Sequence, residues 1–295
     1  MLITRIFEIT FPIFSIVALG FFFARRFKPD MQVANWINMD VFVPALMFSV
    51  IVGKSVDVRA YSDLILSGAI IVLGSGLIMW PIARWLKIET KTIVPPMMFS
   101  NAGNMGLPLI ALAFGEQALP AAVILFIVEN ILHFTLGTSL LSGHGNILKP
   151  LYSPLVLVTA IALLIGATDL TVPSSILLPI TMLGDISIPL MLFSLGVRLA
   201  DANIDEWKIG LIGAVFSPVT GILLALGAMF FIDLSPSEQG ILFLFGALPP
   251  AVLNFMFSER YQQEPSKVAS IVIIGNAFSF ISIPLTLTYV LPRFT

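Results

Sequence analysis

Two long apolar stretches, residues 92–115 and 236–258, are each interrupted by a short run rich in asparagine, glycine or proline. The first run is SNAGNMGLPL (100–109) and the second is GALPPAVLN (246–254). Proline removes a backbone donor and clashes with the preceding turn, and glycine loosens the backbone around it. Each stretch is therefore predicted to break near its middle. The freed backbone groups must then face protein or a water-filled cavity, because lipid cannot hydrogen-bond to them.

The two predicted breaks have the chemistry of an anion site. Proline fits the first position of a helix, so Pro108 and Pro250 are expected to begin the second half-helices. Each free helix N-terminus favours a negative charge by about 0.3–2 kcal/mol. Burying a charge in the membrane centre costs roughly 2.5–3.5 kcal/mol, so further donors are needed. The amides of Asn101, Asn104 and Asn254 can supply them, or they can simply satisfy the broken backbone.

Three acids, Asp40, Glu129 and Asp185, lie inside apolar stretches, whereas every lysine and arginine falls near a stretch end or in a loop. A buried carboxyl group without a basic partner must take a proton, bind a cation or reach a wet cavity. These acids are therefore candidates for ion coupling, although Asp40 and Asp185 can also make helix-to-helix hydrogen bonds. His133 lies four residues after Glu129, on the same helix face, where it can relay protons or hydrogen-bond to backbone.

The composition identifies the environment of these residues. Of the 295 residues, 58% are hydrophobic and 11% are charged, and the net charge is −2. A soluble domain carries about 25% charged residues, so a water-soluble enzyme is excluded, and the lack of a basic patch excludes a nucleic-acid binder. The absence of cysteine rules out disulfides and thiolate metal sites. What remains is an all-α integral membrane protein.

Because a membrane-spanning helix needs about 20 apolar residues, the sequence predicts ten transmembrane helices. They are expected at 5–25, 33–52, 64–86, 92–115, 117–141, 150–168, 173–199, 207–231, 236–258 and 266–291. With the N-terminus outside, 11 of the 15 basic residues fall in inside loops. This bias predicts that both termini lie outside the membrane.

Parts of the sequence recur. DVFVPALMFS (40–49) resembles DISIPLMLFS (185–194) at an offset of 145 residues, and AVILFIVEN (122–130) resembles VASIVIIGN (268–276) at an offset of 146. Two separated segments with nearly the same offset indicate an internal duplication, in units 1–145 and 146–295. Each unit holds five predicted helices, and an odd number places the second unit in the membrane upside down. Inverted repeats with paired broken helices are typical of secondary transporters.

The segment NAGNMGLPL (101–109) resembles the fourth-helix signature of the auxin efflux carrier family, which bacterial members share with the plant PIN-formed carriers. LPPAVLNFMFSERY (248–261) resembles the ninth-helix crossover of that family, and FSLG (193–196) resembles its seventh-helix motif. The resemblance implies two inverted five-helix repeats in which broken helices 4 and 9 cross, a fold shared with bile-acid sodium symporters. Helices 1, 2, 6 and 7 would form a scaffold, often dimeric, and helices 3–5 and 8–10 would form a moving transport domain.

The resemblance also implies a site. By motif match, Asn101 and the Pro108 crossover would face the substrate, opposite Pro249, Pro250 and Asn254. Bacterial relatives are associated with small acids such as malonate and malate, in agreement with the anion argument. The full set of expected substrate-binding residues is Asn101, Gly103, Asn104, Pro108, Pro249, Pro250 and Asn254.

The sequence therefore predicts a secondary active transporter of small mono- or dicarboxylates that works by an elevator-type movement in the cytoplasmic membrane. Its expected partners are the carboxylate, membrane lipid and a second copy of the chain in a homodimer, with no nucleic acid. No cofactor or metal is expected apart from a coupling ion, H⁺ or Na⁺.

Three alternative functions fit parts of the sequence. One is a sodium-coupled symporter of the bile-acid type, and another is a channel. A third is an intramembrane aspartyl protease, suggested by two membrane aspartates and by the triplet Leu-Gly-Asp that ends at Asp185. Against the protease, no tyrosine precedes Asp40 and the first glycine of the Gly-x-Gly-Asp motif is missing.

Overall fold

The computed structural model describes residues 2–53, 58–142, 154–166, 168, 170–200 and 205–295. Over these ranges the chain is helical, and its one β-type pairing is an isolated bridge between Ser100 and Pro250. The helices are α1 Leu2–Phe27, α2 Gln32–Gly53, α3 Arg59–Trp85, α4 Thr90–Met98, α5 Ala102–Phe114, α6 Glu116–Ser142, α7 Pro154–Gly166, α8 Ser174–Ala200, α9 Trp207–Phe231, α10 Pro236–Gly246, α11 Val252–Arg260 and α12 Pro265–Phe294.

Seven of these helices are long and apolar enough to cross a membrane: α1, α2, α3, α6, α8, α9 and α12. Large apolar side chains cover their outer faces, and Phe231, for example, is 84% exposed. A water-soluble protein of this size rarely exposes so much apolar surface. The protein is therefore a multi-pass α-helical membrane protein, as its composition predicted.

The two stretches that were predicted to break are each divided into two helices. The first is interrupted between α4 and α5, at residues 99–101, and the second between α10 and α11, at residues 247–251. The predicted unit boundary at 145/146 lies outside the described residues.

Glycines allow several helices to approach closely. A Cβ atom added to Gly196 of α8 would overlap the carbonyl oxygen of Val17 in α1, and one added to Gly20 would overlap that of Phe193. Gly184 of α8 lies in the same way against the backbone of Leu46 in α2. Small residues at such crossings are the usual means of helix packing in lipid, where van der Waals contact replaces the hydrophobic effect.

The helices pack in two groups. In the first, α1 runs along α8, and α2 contacts both α7 and α8. In the second, α9 runs along α12, α3 and α10, while α3 also contacts α4 and α6. The start of α5 lies against α8, and α1 touches both α5 and α12, so the crossover lies where the two groups meet.

Candidate functional site

The two helix breaks meet and pair with each other. The backbone N–H of Asn101 donates to the carbonyl oxygen of Pro249 at 2.7 Å, and the N–H of Ala251 donates to that of Phe99 at 2.9 Å. These two bonds flank the bridge between Ser100 and Pro250. Backbone groups released by the prolines thus bond to each other in a short antiparallel contact, as a site surrounded by apolar helices requires.

Three asparagine side chains hold this contact in place. Asn254 donates through Nδ2 to the carbonyl oxygens of Phe99 (2.9 Å) and Ala251 (3.0 Å). Asn101 donates to Oδ1 of Asn276 at 2.7 Å, and Asn276 in turn donates to the carbonyl oxygen of Pro250 at 2.9 Å. All three asparagines are at most 3% exposed. The amide of Asn254 therefore serves the broken backbone, which is the second of the two roles that the sequence allows for it.

A cavity of about 810 Å³ lies beside the crossover, between the two groups of helices. Its wall combines α2 and the loop before it with α5, α6, α8 and α11. Three helices contribute at wide, π-helical turns, Asn38–Phe42 in α2, Ala102–Gly106 in α5 and His133–Gly137 in α6. Such turns are rare in proteins as a whole, and those that occur are often found at functional sites.

Two helix N-termini open into the cavity. Gly103 and Asn104 at the start of α5 line it, as do Val252 and Leu253 at the start of α11. The first N–H groups of a helix have no partner within the helix, so both ends present donors and positive dipole ends to the cavity. The adjoining Asn101 also lines the cavity.

The expectation that the prolines begin these half-helices holds in part for Pro108 and is wrong for Pro250. Pro108 lies in the first turn of the regular helix Leu107–Phe114, as expected, but the wide turn Ala102–Gly106 extends α5 back to Ala102. Pro250 stays in the extended segment, and α11 begins two residues later, at Val252. Of the expected substrate-binding residues, Asn101, Gly103 and Asn104 line the cavity, whereas the wall does not include Pro108, Pro249, Pro250 or Asn254.

Glu129 lies in the cavity wall and joins it to the crossover. Its side chain is 3% exposed, and its Oε2 accepts a hydrogen bond of 2.9 Å from the hydroxyl of Ser100. Among the described residues it is the one buried acid. A change in the charge of Glu129 therefore acts directly on a residue that forms the crossover bridge.

His133 also lines the cavity, stacked on the ring of Phe99 with 4.0 Å between centroids and in edge contact with Phe257 at 5.0 Å. Its Nε2 has no hydrogen-bond partner among the described residues, and neither does Oδ1 of the neighbouring Asn254. The side chain of Asn254 is nonetheless close enough to His133 to interact with its ring. The described contacts include no bond between His133 and Glu129.

The other two candidate acids lie elsewhere. Asp40, within the wide turn of α2, and Asp185, in the middle of α8, are exposed and are not in the cavity wall. The fold therefore brings Glu129 to the crossover and leaves these two aspartates outside it.

Sequence reasoning missed three residues of the cavity wall. Asn38 and Ser194 are both buried there, each with a side-chain oxygen that has no partner in the described part of the chain. Arg198 lies near the end of α8, where a basic residue in the sequence indicates only which side of the membrane that end faces. The recurrence of Ser194 at the position of Ser49 was a usable signal, but nothing local in the sequence marked the other two.

Comparison with known proteins is consistent with this architecture. A family profile described as "Membrane transport protein" matches residues 5–150 and 145–287. Over 297 residues the chain is 24% identical to a protein of Rhizobium meliloti (strain 1021) named "Putative malonate transporter", covering 91% of this chain and 90% of the relative. It is 26% identical over 200 residues to an "Uncharacterized transporter" of Methanocaldococcus jannaschii, covering 64% of each chain.

The family profile covers nearly the whole chain, and the relatives carry transporter names. The residues whose resemblance suggested this family, at 101–109 and 248–261, are those that form the crossover. The protein is therefore a membrane transporter rather than an enzyme, and it belongs to the membrane transport protein family of the auxin efflux carriers.

Proposed function

We propose that the protein is a secondary active transporter of small organic anions, and that the cavity at the crossover is its substrate site. One observation carries the proposal: the N-termini of α5 and α11 open into the same cavity, beside Asn101 and Asn104. Two helix ends in a partly buried site contribute up to about 2 kcal/mol each toward binding an anion. Amide donors and the guanidinium of Arg198 in the same wall offset the remaining cost of bringing a charge into the membrane.

Small carboxylates are the proposed substrate class. The cavity of about 810 Å³ has room for a short mono- or dicarboxylate together with water. The name of the Rhizobium meliloti relative refers to malonate, a three-carbon diacid, which is consistent with this class.

The proposed architecture is ten membrane crossings in two inverted repeats, 1–145 and 146–295. In this assignment α4 with α5 and α10 with α11 are the broken fourth and ninth helices. A local hydrogen bond supports the repeat, because Asn130 donates to the carbonyl oxygen of Phe126 and Asn276 donates to that of Val272. The two bonds span four residues each and are related by the offset of 146 residues found in the sequence.

The proposed mechanism is an elevator movement of one helix group against the other. The group of α1, α2, α7 and α8 would be the scaffold, through which two copies of the chain would form a homodimer. The group of α3–α6 and α9–α12 would carry the crossover and its anion across the membrane. Contacts are extensive within each group and sparser between them, which supports their movement as separate bodies.

Glu129 is the favoured coupling residue of this proposal, with H⁺ as the ion. It combines burial, a place in the cavity wall and a hydrogen bond to the crossover. Asp40 and Asp185 stay candidates, as does Na⁺, but neither aspartate is in the cavity wall. The proposed location is the cytoplasmic membrane, and the bias of basic residues supports an orientation with both termini outside.

Flux measurements with purified protein test the proposal. In proteoliposomes preloaded with malonate, we expect saturable exchange of radiolabelled malonate and no ohmic single-channel current. Asn101→Ala, which removes an amide from the cavity wall, should weaken malonate binding by about 1–3 kcal/mol. Failure of the wild-type protein to exchange any member of a panel of small organic anions would overturn the proposal.

A further inference from the structure

Arg198 lies in a wall between two cavities. It lines the crossover cavity and also a second cavity of about 450 Å³, which lies among α8, α11 and α12. Four residues are common to the two walls: Arg198, Val252, Phe255 and Glu259. A cation is thus placed beside the proposed substrate site, at the boundary between α8 and α11.

The guanidinium of Arg198 is poorly compensated. It is half-buried, its Nη2 contacts Sδ of Met256 at 3.9 Å, and no carboxylate of the described residues lies within 4.0 Å of it. Glu259 is near enough for its charge to act on Arg198, but its carboxylate is more than 4.0 Å from the guanidinium and does not form an ion pair with it. A half-buried cation that has no close carboxylate is stabilised by an anion that binds beside it. Arginine also offers a planar pair of donors that fits a carboxylate.

Arg198 and the N-terminus of α11 both line the crossover cavity, and each favours an anion. Met256, which the guanidinium touches, follows the first residue of α11, Val252, by four residues, or about one helical turn. A short diacid can supply one carboxylate to the helix N-terminus and the other to Arg198, whereas a monocarboxylate brings a single charge to the two positions.

We infer that Arg198 determines specificity by binding the second carboxylate of a short dicarboxylate, and that Glu259 competes with that carboxylate for Arg198. The inference rests on the proposed function and narrows its substrate class from small organic anions to diacids.

Binding measurements with a matched pair of ligands test it. Malonate and its monomethyl ester have similar size but differ by one carboxylate, and calorimetric titration of the purified protein gives both affinities. Arg198→Gln should weaken the binding of malonate about 10- to 100-fold, since a hydrogen bond to a charged group contributes about 1.5–3 kcal/mol. The affinity for the ester should change less than twofold. Arg198→Lys keeps the charge but loses the planar pair of donors, so its malonate affinity should be intermediate.

Two further variants separate this role from general electrostatics. Glu259→Gln removes the competing carboxylate and should strengthen the binding of malonate roughly two- to fivefold. Arg260→Gln removes a cation from the same end of α11 at a position outside both cavity walls, and it should leave both affinities unchanged. Helical circular dichroism and monodisperse elution confirm the fold of each variant, and if Arg198→Gln does not fold, Arg198→Lys provides the test.

The outcomes distinguish the two proposals. Equal weakening of malonate and ester in Arg198→Gln, or no weakening of either, overturns the role of Arg198 but leaves anion transport standing. Absence of binding of both ligands to the folded wild-type protein overturns the role of Arg198, and anion transport is overturned as well only if no member of the anion panel is exchanged in proteoliposomes.

Discussion

Replacing Glu129 by glutamine removes a titratable group from the cavity while keeping its shape. The side chain is 3% exposed, and the bond that Oε2 accepts from Ser100 at 2.9 Å can be accepted equally by the amide oxygen of glutamine. The variant should therefore fold and bind malonate with little change. It should, however, lose the response of transport to a pH gradient, because its side chain cannot take up a proton.

The size of that loss follows from the number of buried acids. Glu129 is the one buried acid among the described residues, so we expect one coupled proton per cycle. One pH unit then corresponds to about 1.4 kcal/mol, or a tenfold concentration ratio of substrate. A gradient of two units should drive about a hundredfold accumulation in the wild-type protein and none in Glu129→Gln.

The assay compares two fluxes in the same proteoliposomes, with the membrane potential clamped. Uptake of radiolabelled malonate driven by the pH gradient should be lost in Glu129→Gln, whereas exchange at equal pH should persist, since exchange moves no net proton. Asp40→Asn and Asp185→Asn are matched comparisons, because each removes a carboxyl group that is not in the cavity wall. Gradient-driven accumulation by Glu129→Gln at the wild-type level would refute the reasoning, and its loss in an aspartate variant would transfer the role there.

Two further predictions concern stability. Gly196→Ala should destabilise the protein by about 1–3 kcal/mol, because the added methyl group overlaps the backbone of α1. Gly227→Ala is the control and should not destabilise it, because no neighbouring atom lies within 4 Å of the added methyl group. Thermal melts in detergent compare the two variants, and equal melting temperatures would contradict the packing argument. Burial raises the pKa of Glu264, but hydrogen bonds from Lys267 and Thr92 outweigh it and hold that pKa below 4.5. The stability that this carboxylate contributes is thus fully present above pH 4.5 and is lost as the pH falls through its lower folded-state pKa. Glu264→Gln should therefore lower the melting temperature more at pH 7 than at pH 3. An equal decrease at both pH values would contradict this prediction.

The positions of the helix breaks could be predicted from the sequence, because proline and glycine act on the backbone locally. Both interruptions lie within the runs 100–109 and 246–254. The exact helix starts could not be predicted, since the wide turn Ala102–Gly106 changes where α5 begins relative to Pro108. The sequence left two roles open for Asn254, because the carbonyl oxygen of Phe99, which it binds, is 155 residues away in the chain.

The sequence by itself determined the membrane environment, the all-helical class and the places where helices must break. Each of these depends on composition or on neighbouring residues. Only the tertiary structure decided which polar groups share a cavity. It brought Glu129 to Ser100 and Arg198 to α11 while leaving Asp40 and Asp185 outside. The physical reason is that an apolar pattern shows that a helix enters lipid but does not fix its rotation and its neighbours, which depend on close contacts such as that of Gly196 with Val17.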